Sequence, residues 1–210
     1  MMDVIKRMLA SRKAKPVLWM LGLLPLAWMV WQTMQGAYVN PEESLVRGAG
    51  DWALRFLCLT LAVTPARVTF KLPQVLRFRR VLGLLMFSYA VVHLVLYMGL
   101  AMGFSLGEIA TDIADRPFIL AGMLTFLLLL PLALTSNNAA IRALGASNWQ
   151  ALHRLIYVAA GTAVLHFLWM RAGKNDTAEV WVYTAILGLL LGWRLWYWNR
   201  SQPAAGACGH

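Results

Sequence analysis

The sequence predicts an all-α integral membrane protein, a bundle of six transmembrane helices with both termini in the cytoplasm. Three observations predict it: a composition suited to lipid, six apolar blocks of spanning length, and basic residues gathered in alternate connections.

Of the 210 residues, 60% are hydrophobic and 13% charged, and mean hydropathy is +0.61. Soluble domains carry roughly a quarter charged residues. Nineteen Lys and Arg stand against nine acids. The basic residues cluster between apolar blocks rather than interleaving with aromatics, which marks cytoplasmic membrane flanks and argues against nucleic-acid binding. Cys58 sits in an apolar stretch and Cys208 in the final tail, so neither a disulfide framework nor a thiolate metal site is available. Any metal must have other ligands.

A helix needs roughly 20 mostly apolar residues to cross the hydrocarbon. The first such block, 17–34, follows the basic run Lys6, Arg7, Arg12, Lys13, Lys15. Its length, its three Trp residues and the lack of an Ala-x-Ala cleavage pattern favour a retained anchor over a secretory signal. The others are 49–66, which contains Arg55, then 81–103, 117–135, 150–170 and 180–198. The chain therefore divides into a basic cytoplasmic segment 1–16, a transmembrane domain 17–198 and a short cytoplasmic tail 199–210. Pro41, Pro65, Pro73, Pro117 and the run Thr135-Ser136-Asn137-Asn138 predict helix breaks, with Pro117 after Arg116 suited to a first helical turn. No period of 20 to 50 residues repeats.

Orientation follows from the connections. The N-terminal segment, the 67–80 loop with Arg67, Lys71, Arg77, Arg79 and Arg80, the 136–149 loop with Arg142, and the Arg200 end read as cytoplasmic. The opposite connections hold eight of the nine acids: Glu42, Glu43, Asp51, Glu108, Asp112, Asp115, Asp176 and Glu179. Arg47, Arg116, Arg171 and Lys174 fall there too, against the trend.

Ionisable side chains inside a membrane are costly and mark functional sites by default. His93, His153 and His166 lie in or at the edge of spans, while His210 is in the tail. One such histidine is as readily a helix-to-helix hydrogen-bond partner. Three on two helices, with almost no intramembrane carboxylate to pair with, point to metal or haem. Counted from the cytoplasmic side, His93 lies about 18 Å deep, His166 about 24 Å and His153 only about 5 Å. His93 and His166 are thus matched as axial ligands of one porphyrin iron, edge-on between two helices. With both axial positions filled, the chemistry is electron transfer and not oxygen activation. Small residues before His166, Ala159-Ala160-Gly161-Thr162-Ala163, leave space for a macrocycle or let helices pack closely. Tyr89 and Tyr97, four residues either side of His93, flank a ring or pack on a neighbouring helix.

His153 is rotated about 140° from His166 on an ideal helix. The equivalent places before His93 hold Arg79 and Arg80, so a second bis-histidine haem lacks its partner. Three roles stay open for His153: ligand of a haem with a different sixth ligand, hydrogen-bond partner of a quinone or flavin, or loop cap. Arg77, Arg79, Arg80, Arg142 and Arg154 are explained by the positive-inside rule, yet converging near His153 they also suit a phosphate or propionate. Arg55 is poised at the level of an outward-leaning haem propionate.

The run Arg79-Arg80-Val81-Leu82-Gly83-Leu84 leading to His93, the Arg116-Pro117 entry, and Thr135-Ser136 followed by Arg142-x-Leu144-Gly145-x3-Trp149-Gln150-x-Leu152-His153-Arg154-Leu155-x-Tyr157 carry a resemblance. With Gly22-Leu23-Leu24-Pro25 it covers most of the chain. The pattern resembles the haem-binding membrane subunit of the bacterial periplasmic protein-methionine-sulfoxide reductase system, within the wider ferric-reductase-like transmembrane group. The resemblance implies a six-helix bundle in the bacterial inner membrane with haem b, with flavin mononucleotide (FMN) as a second candidate cofactor. It implies electrons taken from the quinone pool and passed to a separate periplasmic molybdenum-containing reductase that repairs oxidised methionine. The family's histidines match here as His93, His153 and His166. Nothing after Arg200 is long enough for a flavin or nucleotide domain, so the donor is expected to be membrane-soluble or another protein.

The leading expectation is a haem-carrying electron conduit, a redox subunit whose partner holds the substrate chemistry. Quinol would be oxidised near His153 and the arginines, and electrons would leave outward through the His93/His166 haem. A proton-coupled transporter or channel with a histidine relay is the rival, disfavoured because only Asp51 lies in a proposed span and only Pro25 is a mid-span proline. A non-redox membrane scaffold is the third reading.

Overall fold

The computed structural model describes residues 2–172 and 177–201, and within them it is all helix and connection, with no strand. Lys174, Asp176, Cys208, His210 and the end of the tail lie outside the described residues. In chain order the helices are α1 (Met2–Ala10), α2 (Ala14–Met34), α3 (Pro41–Thr69), α4 (Arg79–Leu96), α5 (Leu106–Asp115), α6 (Pro117–Leu134), α7 (Asn138–Leu144), α8 (Ala146–His153), α9 (Leu155–Ala172) and α10 (Ala178–Ser201). A 3₁₀ stretch, Pro73–Phe78, leads into α4, and a π turn, Tyr97–Ala101, extends it.

Five helices are long and apolar enough to cross a membrane: Ala14–Met34, Pro73–Ala101, Pro117–Leu134, Ala146–Ala172 and Ala178–Arg200. The expected second span lies inside α3, which is long enough at 29 residues but is not among the five. Arg47, Asp51 and Arg55 lower its hydropathy, yet it buries Leu54, Phe56, Leu57, Leu61 and Val63 in the core. Both arginines find protein partners: Arg55 Nε donates to Tyr183 Oη of α10 at 3.0 Å, and Arg47 pairs with Glu43 at 2.6 Å.

Local signals set several helix starts. Asn40 caps α3 by accepting from Glu43 N, ahead of Pro41 in the first turn. Ser105 caps α5 by accepting from Glu108 N, and Asn137 caps α7 by accepting from Ala140 N. Gly145 turns the chain between α7 and α8 with φ of +77°, a conformation that favours glycine.

Several expected boundaries differ: α3 begins at Pro41 rather than 49, and α5 and α7 lie in stretches read as connections. Pro65 does not end its helix, because α3 continues to Thr69. A proline lacks the N–H that would bond the carbonyl four residues earlier, here Leu61. Arg194 Nη2 from α10 donates to Leu61 O at 3.0 Å and to Thr64 Oγ1 at 3.1 Å, supplying the missing donor. The predicted span 150–170 lies within the spanning stretch Ala146–Ala172, which a turn at Arg154 divides into α8 and α9, so a rotation angle counted from His153 to His166 along one ideal helix does not apply.

Pro25 lies inside α2 and breaks its ladder. Tyr89 Oη of α4 enters the opening, donating to Gly22 O at 2.8 Å and accepting from Leu26 N at 3.0 Å. Tyr89, only 1% exposed, therefore ties α4 to α2.

The centre consists of two antiparallel pairs, α3 with α4 and α6 with α9. Val46 near the start of α3 meets His93 near the end of α4, and Phe118 at the start of α6 meets His166 near the end of α9. Helix α10 packs on α3 and α9, and α2 packs on α3 and α4.

Candidate functional site

The two histidines paired by depth come together between the two hairpins, their ring centroids 6.1 Å apart and their planes at 77°. Each is held in the same way. His93 Nδ1 is 2.8 Å from Val46 O, and His166 Nδ1 is 2.6 Å from Phe118 O. A carbonyl only accepts, so in each ring Nδ1 carries the proton and Nε2 keeps its lone pair, the tautomer of a metal ligand.

Each ring also lies on a glycine one turn beyond its carbonyl. A Cβ on Gly50 would sit 3.1 Å from His93 Nδ1, and one on Gly122 only 2.8 Å from His166 Nδ1. The unit of carbonyl, glycine and facing histidine thus occurs twice, as Val46, Gly50, His93 and as Phe118, Gly122, His166. Its carbonyl and glycine recur 72 residues on and its histidine 73.

Both rings line a cavity of about 520 Å³, within the range of small-molecule and cofactor pockets. Metal–imidazole bonds of about 2 Å on either side of one ion place coaxial ring centroids about 6 Å apart, whatever the rotation of the rings. The observed separation fits an ion held between them. Among the described residues no three His, Cys, Asp or Glu side chains converge on a metal position. A metal ion here must bring further donors of its own, as a porphyrin does, and the residues fit a bis-histidine haem.

Near the rings, Ala90 and Ala163 line this cavity. Ala159 and Ala160 are 0% and 1% exposed in the core, and Thr162 shares a 2.8 Å hydrogen bond with Thr125 of α6, so most of the small-residue run before His166 serves helix packing. Tyr97 lines the cavity while Tyr89 is spent on α2.

His153 lies apart, on a second cavity of about 230 Å³ with Arg79, Arg80, Ser136 and Trp149. Its ring stacks on Trp149 at 3.9 Å, and its Nε2 is 3.1 Å from Thr135 Oγ1. That hydroxyl donates to Pro131 O at 2.6 Å, so it accepts from His153, whose proton the network assigns to Nε2. This is the opposite tautomer to the paired histidines. Met86 and Leu129 line both cavities and form the wall between them.

The other arginines singled out in the sequence divide. Arg79 and Arg80 line the second cavity, Arg80 also donating to Asn138 Oδ1 at 2.9 Å. Arg77 donates to Leu9 O and Ala10 O, binding α1 to the 3₁₀ stretch. Arg142 and Arg154 are exposed and line neither cavity. Arg55 lies over the Trp52 ring at 4.7 Å and bonds Tyr183, and it does not line the main cavity. Arg47 and Arg116 do line it. In the sequence both stood out as basic residues on the acidic side, each four residues after an acid, Glu43 or Asp112, and Arg116 also as part of the Arg116-Pro117 helix entry, but neither as a site residue.

Residues 49–164 match the family model of the ferric reductase like transmembrane component. A protein-methionine-sulfoxide reductase heme-binding subunit MsrQ from Polaromonas naphthalenivorans is 55% identical over 193 residues, covering 90% of this chain and 87% of its own length. Subunits of the same name from Ralstonia nicotianae (41% identical, covering 94% of this chain and 92% of theirs) and Azospira oryzae (45%, covering 86% and 78%) are also similar. No solved structure matches the chain. A histidine pair held between two like hairpins, a transmembrane family match across most of both, and identity of this degree over nine-tenths of the sequence place the chain in the MsrQ family of protein-methionine-sulfoxide reductase heme-binding subunits.

Proposed function

We propose that this protein is a membrane haem b electron-transfer subunit, which takes electrons from the quinone pool and passes them to a periplasmic molybdenum-containing methionine-sulfoxide reductase. The observation that carries this reading is the His93/His166 pair, 6.1 Å apart and each with Nδ1 engaged by a backbone carbonyl. When bound, haem supplies reversible one-electron transfer at its iron. The protein's part is to keep both Nε2 lone pairs available, hold the rings against Gly50 and Gly122, and exclude water with Leu57, Met86 and Leu129.

In this reading α3 is the sixth span, its charged groups turned to α10 and to the cavity mouth. Both termini then lie in the cytoplasm, and the membrane is the bacterial inner membrane. His153, Arg79 and Arg80 form the inner site, where quinol is oxidised to quinone with release of two electrons and two protons. The electrons cross the Met86–Leu129 wall one at a time and leave through the outer pair. Reduction of one sulfoxide to a thioether and water by the partner consumes two electrons and two protons. The engaged Nε2 of His153 favours a quinone or FMN contact over ligation of a second haem through that atom.

Purified full-length protein from haem-replete cells should show a reducible b-type absorbance spectrum that His93→Ala or His166→Ala abolishes. A colourless wild-type protein would overturn the reading.

A further inference from the structure

The main cavity has a polar end and an apolar end. Leu57, Met86 and Leu129 lie toward the second cavity and its arginines, whereas Asn40, Glu42, Glu43, Arg47 and Arg116 gather where the chain enters α3 and α6. Protohaem is amphiphilic in the same sense, with two carboxylates on one edge and hydrocarbon on the other.

Arg47 and Arg116 are the only Lys or Arg among the described residues lining this cavity. One adjoins Val46 and the other lies two residues before Phe118, whose carbonyls hold the two imidazoles. Each arginine is tethered one helical turn back by an acid: Arg47 Nη2 to Glu43 Oε1 at 2.6 Å, and Arg116 Nε to Asp112 Oδ1 at 2.9 Å. Asp112, 9% exposed, is itself held by Tyr97 Oη, which donates to its Oδ2 at 2.7 Å from the π turn that ends α4. Each contact uses one nitrogen of a five-donor fork, so donors remain for a second carboxylate.

We infer that Arg47 and Arg116 bind the two propionate carboxylates of the haem, with Glu43 and Asp112, the latter backed by Tyr97, positioning the guanidiniums. The inference rests on the haem reading above and replaces Arg55 in that role. Glu42, Glu43 and Asp51 also line this cavity, so without the two arginines its mouth would repel a dianion. The haem is thereby oriented with its carboxylates outward, and two basic residues that break the charge bias acquire a function.

The test compares binding of iron protoporphyrin IX and of its dimethyl ester to full-length protein made in haem-deficient cells, followed by absorbance. Wild type should bind the diacid tighter than the diester, on the order of tenfold per arginine. Arg47→Ala/Arg116→Ala should lose that preference while still binding the diester, which reports an intact fold. Arg47→Lys/Arg116→Lys should keep part of it, and Arg55→Ala should keep it whole. Equal binding of diacid and diester by wild type, a preference that survives the double alanine variant, or a double variant that binds neither would overturn the assignment. Wild-type protein that binds neither, or binds both unaltered by His93→Ala, would instead sink the haem reading itself.

Discussion

An imidazole nitrogen carries either a proton or a metal, and the partner of the other nitrogen decides which. Val46 O and Phe118 O make that decision for His93 and His166, and the hydroxyl of Thr135 makes the opposite one for His153. Both carbonyls are brought within reach because Gly50 and Gly122 let each ring lie on the facing backbone. Gly122→Ala puts a methyl 2.8 Å from its ring and Gly50→Ala 3.1 Å, so the former should lose most of the bound haem and the latter less, read as the haem-to-protein ratio. Equal retention by both variants would show that the glycines do not set the ring positions. The depth match of His93 and His166 was legible because the rise of a helix is constant. Arg47 and Arg116 were not singled out for the site, since a charge-bias count treats every loop arginine alike. Their signal was the acid four residues before each.

A proline leaves a carbonyl without its donor, and in hydrocarbon no water replaces it. Helix α3 solves this with Arg194 of α10, which donates to Leu61 O, whereas in α2 the Tyr89 hydroxyl bridges Gly22 O and Leu26 N, the ladder position next to the one Pro25 removes. Tyr89→Phe removes both bonds of the hydroxyl and should destabilise the protein by about 1–2 kcal/mol in detergent, measured by thermal or denaturant unfolding. Arg194→Met should cost a similar amount in the wild-type background and markedly less beside Pro65→Ala, because that substitution restores a backbone N–H that would satisfy Leu61 O from within α3. Additive costs in that double-mutant cycle would refute the pairing. Pro41, Pro73 and Pro117 do start helices or helical turns, as their local chemistry predicts. Pro65 does not break its helix because a residue 129 positions later completes it, which no window along the sequence contains.

Two hairpins built alike place one histidine each on a shared cavity, and a smaller cavity lies beyond Met86 and Leu129. On the proposed reading the second cavity admits electrons and the first passes them on. His153→Ala should therefore leave the haem absorbance of the His93/His166 pair in place while slowing its reduction by a short-chain quinol at least about tenfold, the scale of one lost site hydrogen bond. Unchanged reduction kinetics would move electron entry elsewhere. The sequence by itself determined the helical membrane class, the apolar blocks, several helix starts and the positions along two helices that bring two histidines together, because hydropathy, capping and helical rise act within one segment. The tertiary structure alone decided which arginines reach the cavity, which tautomer each histidine holds and how the proline inside α3 is tolerated. Those outcomes depend on how each helix is rotated about its axis, and that rotation is set by packing against helices distant in the chain.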